Sequence, residues 1–187
     1  MPPIELPHLS SGPVRLRPPT ESDVSVIARC CQDPDVQRFT RVPSPYTRAD
    51  ARAFVRFSRD SLANGRGVHL LAVDERDRVL GAIGLGIDVA DLSGELGYWI
   101  APEARRRGVA VRGGRLLLEF AFGPLELGYV GLHAAASNAG SNAVARRLGF
   151  VHEGTLRDAM VDGPSGDRRA PRVDANVWGI RPGELPL

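Results

Sequence analysis

The strongest candidate for binding chemistry is a short arginine-rich run that stands directly before a segment of helical period. Its residues are Arg105, Arg106, Arg107, Gly108, Val109 and Ala110. The N-terminus of a helix presents unpaired N–H groups and a partial positive charge, and both stabilise a phosphate. Gly108 and Ala110 leave room for a phosphate near the backbone, and arginine side chains can pair with its oxygens. The run therefore predicts a phosphate or pyrophosphate site, although a solvated arginine run before a surface helix has the same composition.

Two elements that periodicity predicts enclose this run. A strand extends from roughly Gly94 to Ile100 and ends at Ala101-Pro102, and a helix extends from Gly108 to about Phe122. The helix has an apolar face, with Leu117, Phe120 and Ala121, and a charged face, with Arg112, Arg115 and Glu119. The run is therefore expected to form the loop between a strand and the N-terminus of a helix.

The N-terminal part of the chain predicts a strand and two helices. Val14 to Arg17 alternates apolar and charged residues, as a half-buried strand does. Two Thr-x-x-Asp sequences, at Thr20 and at Thr47, match the capping box that starts a helix. The first helix turns Val24, Ile27, Ala28 and Cys31 to the core, and the second has apolar positions that include Phe54, Phe57 and Leu62 before Asn64-Gly65 ends it.

The remaining segments predict a mixed sheet with one more helix. Strands are expected over Val68 to Val73, Val79 to Asp88 and Tyr129 to Ala136, and on both sides of a turn at Gly163 to Asp167. Ala139 to Leu148 predicts a short helix that Gly149 closes. The order indicates one α/β domain over residues 1–187, with a core from about 13 to 181. The first dozen residues and Arg181 to Leu187 are expected to be loosely held ends.

A second motif lies in the short helix and completes a family pattern. It reads Asn138-x-x-Ser141, followed by Arg146-Arg147-Leu148-Gly149-Phe150. With the loop Arg105-x-x-Gly108-x-Ala110, it resembles the GNAT superfamily of N-acetyltransferases, in particular the RimJ/RimL-like branch of ribosomal-protein N-acetyltransferases. In that superfamily a similar loop holds the CoA pyrophosphate on main-chain amides. The Gly-Tyr-Trp-Ile strand, Glu153-Gly154 and Leu156-Arg157 continue the resemblance, which extends from Val14 to about Ile180.

The resemblance implies a fold, a donor and a reaction. The fold is α/β, with a mixed, mostly antiparallel central sheet flanked by helices. The co-substrate is acetyl-CoA, and its acetyl group passes to a primary amine that attacks the thioester directly. Two alternatives stay open: another donor such as succinyl-CoA, whose carboxylate an extra arginine would receive, and a non-catalytic acyl-CoA-binding sensor. A sensor would keep the loop but would have no use for Glu95 or Ser141.

Direct attack requires a base, because an alkylammonium is mostly protonated at neutral pH. Glu95 is the candidate, since it lies on the strand that leads to the loop, where the carboxylate of similar enzymes often lies. On a regular strand Glu95, Gly97 and Trp99 share one face. An ordinary solvent-facing carboxylate is an equally open interpretation of Glu95, and Glu103 is a weaker candidate.

The resemblance also implies groups for the oxyanion and for the leaving thiolate. A main-chain N–H near Ile100 would bind the oxyanion. Many similar enzymes carry a tyrosine seven residues after the helix asparagine, where this chain has Ala145, and Ser141 fits the hydroxyl position of the RimL-like group instead. Asn138 is expected to bind the CoA arm, although Asn138 and Ser141 both also suit a helix cap.

The predicted site is therefore as follows. The catalytic residues are Glu95 and Ser141, and the CoA-binding residues are Ile100, Arg105, Arg106, Arg107, Gly108, Val109, Ala110, Asn138 and Ser141. Packing roles are expected for Tyr98, Trp99 and Tyr129, and structural roles for His69, His133 and His152. No metal is implied.

Composition limits the partners of the chain. The net charge is only +2, and no row of aromatic residues accompanies the 24 arginines, which argues against nucleic acid. No segment is long and apolar enough to cross a membrane, and the N-terminal residues lack a signal pattern, so a cytoplasmic protein is expected. Cys30 and Cys31 are adjacent, which disfavours a disulfide between them and predicts buried free thiols.

The acceptor amine stays open at this point. In similar folds the early helices and the last hairpin line the acceptor side, which here means Cys30 to Tyr46 and Arg157 to Arg172. Both segments interleave aspartates with arginines, so their field does not select one class of acceptor. A peptide N-terminus, a metabolite amine and an amine-bearing antibiotic are all possible acceptors, and a homodimer is suggested only by similarity.

Overall fold

The computed structural model describes residues 2–186. Within that range eight strands form one sheet, in the order β1-β2-β3-β4-β5-β6-β8-β7. The strands are β1 Leu9–Ser11, β2 Val14–Arg17, β3 Gly67–Val73, β4 Val79–Asp88, β5 Ser93–Ile100, β6 Tyr129–Ala135, β7 Val151–Val161 and β8 Arg172–Ile180. The helices are α1 Val24–Cys30, α2 Pro34–Phe39, α3 Arg48–Ala63, α4 Val109–Phe122 and α5 Ala139–Arg147, with short 3-10 turns at Glu21–Asp23 and Pro102–Ala104.

The sheet is mixed, as the sequence predicts. Neighbouring strands pair antiparallel except β5 and β6, which run parallel. A parallel neighbour requires a crossover, and α4 supplies it between β5 and β6. The predicted α/β class with a mostly antiparallel sheet flanked by helices is confirmed.

Both predicted capping boxes are present. The Thr20 backbone N–H donates to Asp23 at 2.7 Å, and the Thr47 N–H donates to Asp50 at 2.7 Å. Asn64 is the C-terminal cap of α3, as expected. Of the apolar positions of α3, Phe57 is 54% exposed, and its ring lies against His69 at an interplanar angle of 39°, with ring centroids 4.6 Å apart.

Three further features differ from the sequence-based expectations. The first dozen residues are held, because β1 pairs with β2 and the Ile4 N–H donates to the Leu62 carbonyl at 2.9 Å. Helix α2 was not predicted, although Asp33 caps it and Pro34 begins it. The C-terminal residues up to 186 also pack, since Leu185 lies against the core; Leu187 falls outside the described residues.

Helix α4 is held tightly against the sheet, and this fixes its N-terminus. A Cβ added to Gly113 would stand 2.1 Å from Ile83 Cδ1, and one on Gly114 would stand 2.9 Å from Leu148 Cδ1. The two glycines therefore permit the close approach of α4 to β4 and to the end of α5. Leu117 and Phe120 are buried on the predicted apolar face.

The adjacent cysteines are free and buried, as expected. Burial raises the pKa of the Cys31 thiol to about 12, so it stays protonated. Neither cysteine lies in the cavity described below.

Candidate active site

A gap between β5 and β6 forms the centre of the site. The two strands pair with each other only where Ser93, Gly94 and Glu95 of β5 face residues 129–131 of β6; beyond this they continue to Ile100 and Ala135, each paired only with its other neighbour, β4 or β8. On β5 the Ala101 N–H donates to the Leu80 carbonyl of β4 at 2.9 Å. Because backbone groups of a strand alternate in direction, the N–H groups of Tyr98 and Ile100 point away from β4 into the gap.

A cavity with a volume of about 660 Å³ occupies this gap. Its walls come from β5, β6, α2, and the N-terminal parts of α4 and α5. The volume lies in the range of small-molecule and cofactor sites. The cavity therefore joins segments that are far apart in the sequence, and each is described in turn below.

The N-terminus of α4 is open towards the cavity. Gly108 has φ +75° and precedes the helix without any side-chain cap. The first helical bond runs from the Arg112 N–H to the Gly108 carbonyl, so the N–H groups of Val109 and Ala110 have no acceptor in the helix. A Cβ on Gly108 would meet nothing nearer than Arg112 Nε at 3.9 Å. This geometry suits an anion on the backbone amides.

The three loop arginines point to different places. Arg105 forms ion pairs with Asp33 and with Asp35, the latter at 2.9 Å, and its Nε donates to the Ile100 carbonyl at 3.3 Å. Arg106 lines the cavity and has no ion pair within residues 2–186. Arg107 lines a separate depression on the other side of the loop. Arg105 also lines the cavity, but its guanidinium is paired with two aspartates; of the three loop arginines, Arg106 is thus the one that lines the cavity without an ion pair in the described part of the chain, and Arg107 faces the separate depression.

Ser141 and Tyr98 meet at the cavity wall. The Ser141 Oγ and the Tyr98 hydroxyl lie 2.9 Å apart, and both residues line the cavity. Burial raises the pKa of Tyr98 to about 12, against a smaller lowering by the bond to Ser141. Ala145, where similar enzymes carry a tyrosine, is fully buried. Tyr98 was expected only to pack, and no local pattern indicates this contact because the partners are 43 residues apart.

Asn138 is the N-terminal cap of α5. Its side-chain oxygen accepts a hydrogen bond from the Ser141 N–H at 3.0 Å. The capping alternative therefore holds for Asn138, while the Ser141 hydroxyl is left for Tyr98. The Asn138 side-chain nitrogen forms no hydrogen bond within the described part of the chain, and the residue lines the cavity.

A buried asparagine that sequence reasoning missed holds α5 on the sheet. Asn142 is 3% exposed, and its Nδ2 donates to the carbonyls of Ala135 at 3.0 Å and Asn138 at 2.7 Å. Its Oδ1 accepts from Trp178 Nε1 at 3.0 Å and Asn176 Nδ2 at 2.9 Å. All its polar atoms are paired, so the network positions the helix that carries Ser141.

Glu95 lies at the closed end of the gap, together with a histidine. Its Oε1 is 3.3 Å from His133 Nδ1, and the side chains are 64% and 40% exposed. Both residues line the cavity, although His133 was expected to be structural. Glu103 lies outside the cavity, 4.0 Å from Arg29. Of the two candidate glutamates, the structure thus brings Glu95 and not Glu103 to the gap.

Helix α2 forms the remaining wall and is tied at both ends. Its first turn is held by Arg105 through Asp33 and Asp35. Near its end, Arg38 pairs with Asp162, beyond the last residue of β7, and the pKa of that carboxyl is lowered by the Arg38 hydrogen bonds. Asp33, Asp35 and Asp162 thus each have an arginine partner, so their negative charges are balanced within the wall.

Within residues 2–186 no helix is long and apolar enough to span a membrane. The same residues contain no cluster of three or more histidine, cysteine, aspartate or glutamate side chains placed to hold a metal ion.

The chain is similar in sequence to proteins of one enzyme family. A family model described as "Acetyltransferase (GNAT) domain" matches residues 14–151. A Bacillus subtilis (strain 168) protein named "Putative ribosomal N-acetyltransferase YdaF" is 41% identical over 74 residues, which span 40% of this chain and 40% of that protein. A second protein of that strain, "Uncharacterized N-acetyltransferase YoaA", is 25% identical over 93% of this chain and 96% of its own length.

Solved structures share the fold. The ribosomal α-N-protein acetyltransferase RimL, in complex with coenzyme A, superposes with a TM-score of 0.83 over 94% of this chain and 98% of its own. Its sequence identity is 19%, so this likeness concerns the fold alone.

Proposed function

This chain belongs to the GNAT acetyltransferase family, and we propose that it transfers the acetyl group of acetyl-CoA to a primary amine by direct attack on the thioester. The observation that carries the proposal is the gap between β5 and β6, which joins an open helix N-terminus to Glu95 and to the Ser141 hydroxyl in one cavity. A phosphate site, a base and a hydroxyl donor together are what such a transfer requires.

The donor is proposed to bind along the α4 side of the cavity. The backbone N–H groups of Val109 and Ala110 would hold the pyrophosphate, and Gly108 leaves the approach free. Arg106 adds a positive charge. The Asn138 side-chain nitrogen would donate to the pantetheine arm, while its oxygen caps α5.

In the proposed reaction the amine gives a proton to Glu95, directly or through a water, and its free electron pair attacks the thioester carbonyl. The N–H groups of Tyr98 and Ile100 donate to the oxyanion in the gap. When this tetrahedral intermediate collapses, the C–S bond breaks, the nitrogen gives its second proton to water, and the sulfur leaves as a thiolate that accepts a hydrogen bond from Ser141.

The acceptor that we propose is the N-terminal α-amine of a protein. Support comes from the names of YdaF and RimL, both of which refer to ribosomal acetylation. Chemistry supports the same class. An α-amine has an ordinary pKa of about 7.7–8.0, against about 10.4 for lysine, so more of it is deprotonated at neutral pH.

One observation favours a second donor. Arg41 lines the cavity and has no ion pair within the described residues, so it could receive the free carboxylate of succinyl-CoA. Acetyl-CoA and succinyl-CoA should therefore be compared directly.

The test is calorimetric titration with acetyl-CoA, succinyl-CoA and CoA, followed by thiol release on matched peptides. One peptide has a free N-terminus and no lysine; the other is blocked at the N-terminus and contains lysine. The expected result is tight acetyl-CoA binding and thiol release with the first peptide. Binding without release on any amine would favour a sensor, and absence of acetyl-CoA binding would overturn the proposal.

A further inference from the structure

The contact between Tyr98 and Ser141 links two walls of the cavity. Tyr98 lies on β5 and Ser141 in the first turn of α5, and their hydroxyl oxygens are 2.9 Å apart. Within residues 2–186 neither hydroxyl has another hydrogen-bond partner. The pair is thus isolated, and two arrangements of its protons are possible: Tyr98 donates to Ser141, or Ser141 donates to Tyr98.

Acidity decides between the two arrangements. A phenol is the more acidic of the two groups and therefore the better donor, while the serine oxygen is a good acceptor. If Tyr98 donates to Ser141, the serine proton is left free and can rotate into the cavity. A hydroxyl that accepts a hydrogen bond also becomes a stronger donor, because bonded groups polarise one another.

We propose that Tyr98 is a positioning residue for acyl transfer: its hydroxyl holds Ser141 Oγ so that the serine proton points to the sulfur of the leaving CoA. This inference rests on the proposed function. The amine nitrogen first forms its bond to the carbonyl carbon, and the C–S electron pair moves to sulfur when the resulting tetrahedral oxyanion collapses. The serine hydrogen bond stabilises that thiolate, which solvent later protonates.

Tyr98 is suited to orient a proton rather than to give its own away. Burial raises the pKa of its phenol to about 12, so it remains a donor wherever the acceptor amine is deprotonated. A free thiol has a pKa of about 8.5, so a proton transfer from this phenol to the thiolate is unfavourable. The negative charge therefore stays on sulfur, and the tyrosine keeps the serine in place.

The matched control is Tyr129. Its hydroxyl donates to Glu153 at 2.7 Å, and the residue lies outside the cavity. Tyr129→Phe thus removes the same atom and one hydrogen bond, outside the cavity. Its turnover should equal that of the wild type.

The experiment measures kcat and KM for acetyl-CoA in Tyr98→Phe, Ser141→Ala and the double variant. Loss of one oriented hydrogen bond predicts about a tenfold lower kcat for each single variant. KM should stay within about twofold, and the double variant should be no slower than Ser141→Ala, because the two groups act as one unit. A kcat of Tyr98→Phe within twofold of wild type, a change in KM alone, or additive losses would each overturn the inference.

A binding measurement separates this inference from the proposed function, since it needs no acceptor. At about pH 10, well above the ordinary pKa of about 8.5 of a cysteine thiol, CoA carries much thiolate and desulfo-CoA carries none. The wild type should bind CoA more tightly than desulfo-CoA. In Tyr98→Phe the ratio of the dissociation constant of desulfo-CoA to that of CoA should be about tenfold smaller. An unchanged preference refutes the role of Tyr98 even in an active enzyme, whereas inactivity on every amine with the preference intact refutes only the proposed reaction.

Discussion

Replacement of Asn142 by alanine tests whether one buried side chain positions the catalytic helix. The substitution leaves Trp178 Nε1, a buried donor, without its acceptor. An unsatisfied buried donor costs about 2 kcal/mol. Loss of the two bonds from Asn142 Nδ2 to backbone carbonyls costs about 1 kcal/mol each. The better helix propensity of alanine returns about 0.6 kcal/mol.

The expected loss of unfolding free energy is therefore about 3 kcal/mol. For a domain of this size each kcal/mol lowers the melting temperature by about 3 °C, so a decrease of about 9 °C is expected. Urea unfolding followed by tryptophan fluorescence measures the free energy, and an unchanged slope with denaturant shows that the transition is comparable. Each lost bond to a carbonyl costs less free energy than the lost bond of the indole, because the Ala135 and Asn138 carbonyls each still accept a hydrogen bond from a backbone N–H.

Asn176→Ala is the matched control. It removes the partly exposed amide that donates to Asn142 and accepts from the exposed Thr155 hydroxyl, but it leaves the indole bond in place, so it should cost about 1–2 kcal/mol, less than Asn142→Ala. Below both melting temperatures, Asn142→Ala should also lower kcat, because Ser141 precedes it in α5, while Asn176→Ala should not. A melting temperature of Asn142→Ala within about 2 °C of the wild type would refute the reasoning.

Three further predictions concern the donor, the base and acid stability. Gly108→Trp should weaken CoA binding at least about 100-fold in a folded protein, by filling the open space at the α4 N-terminus; retained CoA affinity in calorimetry would reject the loop assignment. Glu95→Gln should slow turnover about 100-fold at low pH and less at high pH, where the amine needs no base, and its acetyl-CoA affinity should be unchanged. Turnover equal to that of the wild type at every pH would remove Glu95 from the mechanism. Burial raises the pKa of the Asp23 carboxyl, but hydrogen bonds from Arg17 and Thr20 outweigh burial and lower that pKa below its ordinary value of 3.8. The ionised carboxyl therefore stabilises the folded protein above pH 3.8, and this contribution is lost as the pH falls through the lowered pKa. Asp23→Asn should therefore flatten the acid limb of the unfolding free energy, and an acid limb identical to wild type would contradict this.

Local signals predicted much of this fold. The capping boxes at Thr20 and Thr47 and the strand Val79–Asp88 depend on residues a few positions apart, and the structure has them where the sequence indicates. The N-terminus of α4 likewise follows from Gly108 and the change of period after it. Helix α2 carried a local Asp-Pro signal, but it is only six residues long and its pattern is too short to be distinctive.

The side chains that complete the site could not be predicted in this way. His133 meets Glu95 across 38 residues, and Asn142 meets Trp178 across 36, so only the folded sheet brings these partners together. The sequence of a strand also does not say where it separates from its neighbour, and the end of the β5–β6 pairing at Glu95 is seen only in the folded sheet. Motif residues thus indicated the region of the site, whereas their partners required the tertiary structure.

Arg105 shows how a motif residue can serve a different part of the site from the one expected. Three of the five N–H donors of its guanidinium are engaged, by Asp33, Asp35 and the Ile100 carbonyl. Asp33 also caps α2 through the Val36 N–H, so Arg105 joins the donor loop to the helix that walls the opposite side of the cavity. A phosphate that drew Arg105 away would have to compete with two carboxylates and leave Asp33 with only its capping bond. In the proposed function the loop would therefore bind the pyrophosphate through its amides and Arg106, while Arg105 holds α2 in place through Asp33 and Asp35.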